Sequence, residues 1–288
     1  MRYAYYPGCS LQASAKEYDL SLKAVCNRLD IELVELKDWN CCGATPAYTV
    51  DPLLAMGLSA RNLALAEAED LSVIVAPCPA CYKNLRKAGK ALEEDPELRE
   101  KVNDMLTEHK LDSIPKVKLP LEVIASDFDW DALEVERPLA GLNVACYYGC
   151  PVARPKGGFD NREAPQAMHL LVEKLGGQPV PFAYDTKCCG GGIVFTRDEI
   201  SLDLTAKLLT KAKAAGADCL SVMCPLCHLM LDAYQSQAVR RLDTRFDLPA
   251  LYFTQLMGLA LGLGREELGL ERNMVAPFSL LERMGLKV

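Results

Sequence analysis

The chain has no surplus of positive charge: 32 Lys and Arg stand against 39 Asp and Glu, giving a net charge of -7 and a pI near 5.2. Nucleic-acid affinity comes mainly from neutralising phosphates with Lys and Arg, so no nucleic acid is expected as a partner. Long apolar runs are also missing. The longest charge-free stretch, LPALYFTQLMGLALGLG from Leu248 to Gly264, falls short of the roughly 20 residues a spanning helix needs and is broken by proline and glycine. It reads as a buried strand and helix, with no membrane span. The opening MRYAYYPGCS lacks the basic and apolar regions of a secretory signal, which leads to the expectation of a cytoplasmic protein.

What is abundant is cysteine. Thirteen occur in 288 residues, half of them hydrophobic, so a sizeable core does not depend on cross-links. The number is odd and nothing marks the chain for export, which disfavours a disulfide framework; clustered thiols in a reducing compartment bind metal or carry redox chemistry instead. Ten of the thirteen fall into two matching sets. Cys9, Cys41, Cys42, Cys78 and Cys81 have counterparts at Cys150, Cys188, Cys189, Cys224 and Cys227, at offsets of 141, 147, 147, 146 and 146. Their context repeats as well, with YYPGC answering YYGC, CCGA answering CCGG, and VAPCPAC answering VMCPLC. This is an internal duplication, with a joint in or near DWDALEVERPLAG (Asp129 to Gly141) and lobes expected at 1–138 and 139–288.

Each repeat alternates short β-rich runs with helical patterns. In the first these are RYAYYP, Ala13 to Leu29, IELVEL, Pro52 to Ala68 and SVIVAP; in the second LNVACYY, Ala164 to Leu175, QPVPF, Glu199 to Ala215 and CLSVM. Such alternation predicts an α/β fold of two similar lobes, each a small parallel sheet with flanking helices, related by a pseudo-twofold duplication. LPLEVIAS from Leu119 and the apolar run from Leu248 would close the lobes, and the extra charged segment EEDPELREKVNDMLTEHK of the first is expected as a solvated surface helix. Each cysteine group follows a strand, which places all five at the carboxyl edge of a parallel sheet, where open α/β folds bind ligands. Pro79 and Pro225 suit the first turn of the helix that follows.

Five thiols are one more than a structural zinc or an ordinary cubane cluster uses. Adjacent cysteines at a strand end tend to diverge, so they chelate one tetrahedral ion poorly and more readily reach two metal atoms of a larger assembly. Gly43 and Gly190 would let the backbone turn closely beside it. This order and spacing resembles the duplicated cysteine-rich CCG domain of the heterodisulfide reductase B-type polypeptides, over nearly the whole chain. The resemblance implies a non-cubane [4Fe-4S] cluster in each lobe, held by Cys9, Cys41, Cys42, Cys78 and Cys81 and by Cys150, Cys188, Cys189, Cys224 and Cys227. It implies that the two clusters face each other around a disulfide, which receives one electron from each. Related domains also serve glycolate and lactate oxidation and thiol-dependent fumarate reduction. The chain has no CxxCxxC ferredoxin run, so electrons would come from a ferredoxin-like iron-sulfur partner, the C-type polypeptide of such complexes, fed by a flavin-bearing A-type polypeptide. The competing readings are an electron-transfer or sulfur-handling subunit of the same architecture, acting on another acceptor or a protein-bound dithiol, and a zinc-stabilised scaffold without activity.

The remaining candidates have simpler readings. Cys26 and Cys219 suit core packing, since free cysteine behaves as a small hydrophobe. Cys146 corresponds by register to Tyr5 and stands outside the ligand set. His228 follows Cys227 and corresponds to Tyr82; either could donate a proton, or pack beside the site. His109 and His169 read as solvated or structural. Arg154 and Lys156, in the loop Val152 to Gln166, could meet an anionic substrate or simply face solvent. CCGGG lacks the Lys-Ser/Thr of a phosphate-binding loop, and nucleotide binding is discounted.

Overall fold

The computed structural model describes residues 1–44, 46–150 and 158–286. In chain order the first repeat holds β1 (Arg2–Tyr5), α1 (Gly8–Gln12), α2 (Lys16–Arg28), β2 (Glu32–Glu35), α3 (Pro46–Val50), α4 (Pro52–Ala68), β3 (Val73–Val75), α5 (Pro79–Glu94), α6 (Pro96–Met105), β4 (Lys116–Lys118) and α7 (Pro120–Ser126). The second holds β5 (Asn143–Tyr147), α8 (Ala167–Lys174), β6 (Gln178–Pro179), α9 (Asp198–Ala214), β7 (Cys219–Val222), α10 (Pro225–Leu231), α11 (Gln235–Arg240), β8 (Ala250–Tyr252), α12 (Phe253–Ala260) and α13 (Phe278–Arg283). Each repeat builds one four-stranded parallel sheet, in the order β2-β1-β3-β4 and β6-β5-β7-β8. The α/β duplication expected from the pattern is therefore the fold.

Local chemistry sets the element ends. Asp51 caps α4 by accepting the amides of Leu53 and Leu54 at 2.8 and 3.1 Å, with Pro52 in the first turn. LPLEVIAS is not a closing strand. Pro120 starts a helix there, and the Glu122 carboxylate accepts the Leu119 amide at 3.3 Å. The closing strand is the preceding KVK, whose two lysines hide it in a hydropathy reading and suit an edge position. The charged surplus forms the end of α5 and then α6, which buries only Val102.

The chain divides into two compact units, Met1–Gln12 with Asp30–Asp127, and Ala13–Leu29 with Phe128–Val288. We retain 1–138 and 139–288 as our proposal for the copies of the repeat. The compact units are a different partition, because α2 is grouped with the second. Helix α12 buries all eight of its residues, so it needs cover on every side. Part of that cover is α2, which buries Tyr18, Leu22, Val25 and Cys26. Tyr18 stacks on Tyr252 just before α12, and the Ser21 and Thr254 hydroxyls meet at 2.7 Å. Its counterpart in the second repeat, α8, lies instead against β5 and β6.

Candidate functional site

In the first unit the five expected thiols form a continuous series of contacts at the carboxyl edge of the sheet. Cys9 is the second residue of α1, Cys41 and Cys42 follow β2, and Cys78 occupies the position just before α5, with Cys81 in its first turn. Cys41 is hydrogen-bonded to Cys9 and Cys42, the Cys42 and Cys81 sulfurs lie 3.3 Å apart, and Cys81 bonds Cys78. The hydrogen bond with Cys81, against the opposing effect of burial, brings Cys42 down to about 7, and the one between Cys81 and Cys78 lowers Cys78. Hydrogen bonds with Cys42 and Cys78, and burial after them, raise Cys81 well above the usual thiol range. Cys9 and Cys41 are exposed, whereas Cys42, Cys78 and Cys81 are buried.

The second unit repeats the pattern. The Cys189 and Cys227 sulfurs lie 3.3 Å apart, Cys227 bonds Cys224, and Cys224 caps α10 before Pro225. The bond between Cys189 and Cys227 lowers Cys189 and raises Cys227. Cys150 and Cys188 are half-buried. Gly43 and Gly190 have φ of +72° and +90°, a left-handed turn beside each doubled cysteine that glycine adopts without strain. Crowding is tight on the opposite side too. A Cβ on Gly8 would stand 3.2 Å from the Cys81 sulfur, and one on Gly149 3.3 Å from that of Cys227.

Two tyrosines inside YYPGC and YYGC, which the cysteine spacing alone does not single out, border these thiols. Tyr6 and Tyr147 occupy the same repeat position, three residues before Cys9 and Cys150. Burial first, and then the charges of neighbouring thiols, push both phenols far up. Those thiols are Cys81, Cys42, Cys41 and Cys9 for Tyr6, and Cys227, Cys189, Cys224 and Cys150 for Tyr147. Lobe one also places Tyr48 near Cys42, a position with no tyrosine in the second repeat.

Other candidates are drawn elsewhere. His228 is buried, bonds the Ala250 carbonyl through Nε2 at 2.9 Å and stacks on Tyr252. Burial lowers its pKa, so it stays neutral, and its Nδ1 lies 3.6 Å from the Glu17 carboxyl. Tyr82 is engaged by Arg86, and His169 meets the Tyr148 hydroxyl at 2.9 Å. Cys26, Cys146 and Cys219 are buried thiols raised by that burial, as core packing implies. Arg154 and Lys156 lie outside the described residues.

The donor set suits an iron-sulfur group. Thiolate is its ligand, five thiols gather where two supply a doubled position, and a Cβ on Gly8 or Gly149 would crowd a sulfur. Among the described residues no three of His, Cys, Asp or Glu are arranged to hold a single metal ion. No helix among them is long and apolar enough to cross a membrane.

Known proteins resemble this chain over nearly its whole length. The chain is 35% identical, over 95% of its length and 96% of the relative's, to an 8-methylmenaquinol:fumarate reductase membrane anchor subunit of Wolinella succinogenes. It is 29% identical, over 96% of its length and 95% of the relative's, to the B-type polypeptide of a ferredoxin:CoB-CoM heterodisulfide reductase of Methanosarcina mazei. The fold matches the crystal structure of a hypothetical protein from Helicobacter pylori, with a TM-score of 0.79 at 17% identity over 95% of this chain. Our chain spans about half of that solved one, 52% of its length. The cysteine-rich domain CCG matches residues 3–86 and again 144–232, so the chain belongs to the CCG cysteine-rich domain family and carries its domain twice.

Proposed function

We propose that this chain is the catalytic subunit of a heterodisulfide reductase type complex and that it reduces, or in the reverse direction forms, a disulfide. The observation that carries the reading is the doubled gathering of thiols, marked by the sulfur contacts Cys42–Cys81 and Cys189–Cys227. Cys9, Cys41, Cys42, Cys78 and Cys81 would hold one non-cubane [4Fe-4S] cluster, and Cys150, Cys188, Cys189, Cys224 and Cys227 the other. When bound, each cluster supplies one-electron chemistry. Cleaving RS–SR′ to RSH and R′SH takes two electrons and two protons, so two matched centres avoid releasing a thiyl radical, which gives the duplication a chemical reason. Exposed Cys9 and Cys41 lie on the open side of their cradle, while buried Cys42, Cys78 and Cys81 keep water from its inner wall. A ferredoxin-like iron-sulfur partner, fed by a flavin-bearing one, would deliver the electrons in the cytoplasm.

A second reading is favoured by the 35% identity to a fumarate reductase subunit: an electron-transfer or sulfur-handling role toward a different acceptor. Anaerobically purified protein, assayed for iron, sulfide and dye-linked turnover of small and carrier-bound disulfides, separates the two. Turnover supports reduction of a disulfide. Loaded protein that turns over none supports the electron carrier, and colourless protein with zinc and no iron leaves the scaffold.

A further inference from the structure

Each doubled cysteine is held on both sides by hydroxyl groups from the same two places in the repeat. In the first unit the Tyr6 phenol donates to the carbonyl of Asn40, just before Cys41, at 2.8 Å. The Ser59 hydroxyl on α4 donates to the carbonyl of Cys42 at 2.9 Å. In the second unit Tyr147 donates to the carbonyl of Lys187, just before Cys188, at 2.7 Å. Thr205 on α9 donates to the carbonyl of Cys189 at 2.8 Å.

Ordinary satisfaction of buried carbonyls would not require the same donors twice. Among the described residues, the other side-chain donors to carbonyls of these loops do not recur. Asn62 bonds Asn40, and Asn84 donates to the Cys42 carbonyl at 3.2 Å, but their repeat positions hold Leu208 and Met230. Ser201 donates to the Gly190 carbonyl in the second unit, and its counterpart is Ala55. The phenol and the small hydroxyl are found in both units. The phenol also reaches the thiol across the cradle: the Tyr147 hydroxyl lies 4.0 Å from the Cys227 sulfur. A Cβ on Gly8 would touch both the Tyr6 ring, at 3.4 Å, and the Cys81 sulfur.

We propose that Tyr6 and Tyr147 are positioning residues for the doubled cysteines. With Ser59 and Thr205 they fix the backbone on either side of each pair, so that both adjacent sulfurs face the cradle shared with the CxxC thiols. Each clamp acts on its own lobe. The inference rests on the reading that these thiols share one inorganic group, and it deepens that reading by naming what sets their geometry.

Tyr6→Phe and Tyr147→Phe keep the ring and delete one donor, and the full chain gives two readouts. In metal-free, reduced protein, iodoacetamide labelling mapped by mass spectrometry should show Cys41 and Cys42 reacting about tenfold faster in Tyr6→Phe, with Cys188 and Cys189 unchanged; Tyr147→Phe should give the mirror image. In anaerobically reconstituted protein, each variant should alter the electron paramagnetic resonance signal and reduction potential of one lobe while retaining its iron. Should either fail to fold, Ser59→Ala and Thr205→Ala carry the same expectation. Labelling and spectra equal to wild type, or equal changes in both lobes from one variant, would overturn the clamp. Failure of wild-type protein to take up iron would sink the cluster reading, and the labelling experiment would still decide the clamp.

Discussion

Tyr18 of α2 lies flat on Tyr252, with ring centroids 4.2 Å apart and planes 9° from parallel. The contact ties a helix of the first repeat to the core of the second compact unit, and Tyr18 is fully buried in it. Tyr18→Ala should therefore destabilise the second unit, by about 3–5 kcal/mol for the lost ring and the cavity left behind. Urea unfolding followed by near-ultraviolet circular dichroism measures this. A loss below about 1 kcal/mol would show that α2 is only loosely docked.

Gly8 and Gly149 should be intolerant of even one methyl group. Both have positive φ, +68° and +69°, and alanine there costs about 1–2 kcal/mol from backbone strain. The new Cβ would also press on the Cys81 or Cys227 sulfur. Gly8→Ala should lower the iron content by about half by emptying the first lobe, and Gly149→Ala should do the same to the second. Iron analysis together with lobe-resolved spectra checks this, and full loading of both variants would contradict it.

Glu17 gives a stability signature in pH. Burial, with the charge of Asp232 adding to it and its own backbone hydrogen bond and Arg272 opposing, raises its pKa from 4.5 to about 7. The other group facing it is His228, whose own pKa burial lowers. Because the folded-state value lies above the unfolded one, this stabilisation is complete below about pH 4.5 and is lost as pH rises through about 7. Glu17→Gln should flatten that fall and leave the variant more stable than wild type at pH 8, by on the order of 2 kcal/mol. Parallel stability curves between pH 4.5 and 8 would contradict the assignment.

The sheet topology and the places of the paired cysteines in it were legible because both are written locally. Strands alternate with helices, and Cys41-Cys42-Gly43 and Cys78-Pro79-Ala80-Cys81 mark their own turn and helix start. Strand β4 was hidden because an edge position tolerates Lys116 and Lys118 on either side of one buried valine. Packing of α2 on α12 was not legible either: amphipathic spacing shows that Tyr18, Leu22 and Val25 share a face, but not which sheet or helix that face will meet. Tyr6 and Tyr147 stand inside the repeated motif, yet the carbonyls they hold lie 34 and 40 residues away. Such long-range hydrogen bonds leave no periodic trace in a chain.

The most direct measurement is electron paramagnetic resonance with iron analysis on anaerobically reconstituted Cys42→Ala and Cys189→Ala. The account predicts that each variant loses the unusual cluster of one lobe, keeps that of the other, and holds about half of the wild-type iron. Unchanged iron and spectra in both variants would contradict it.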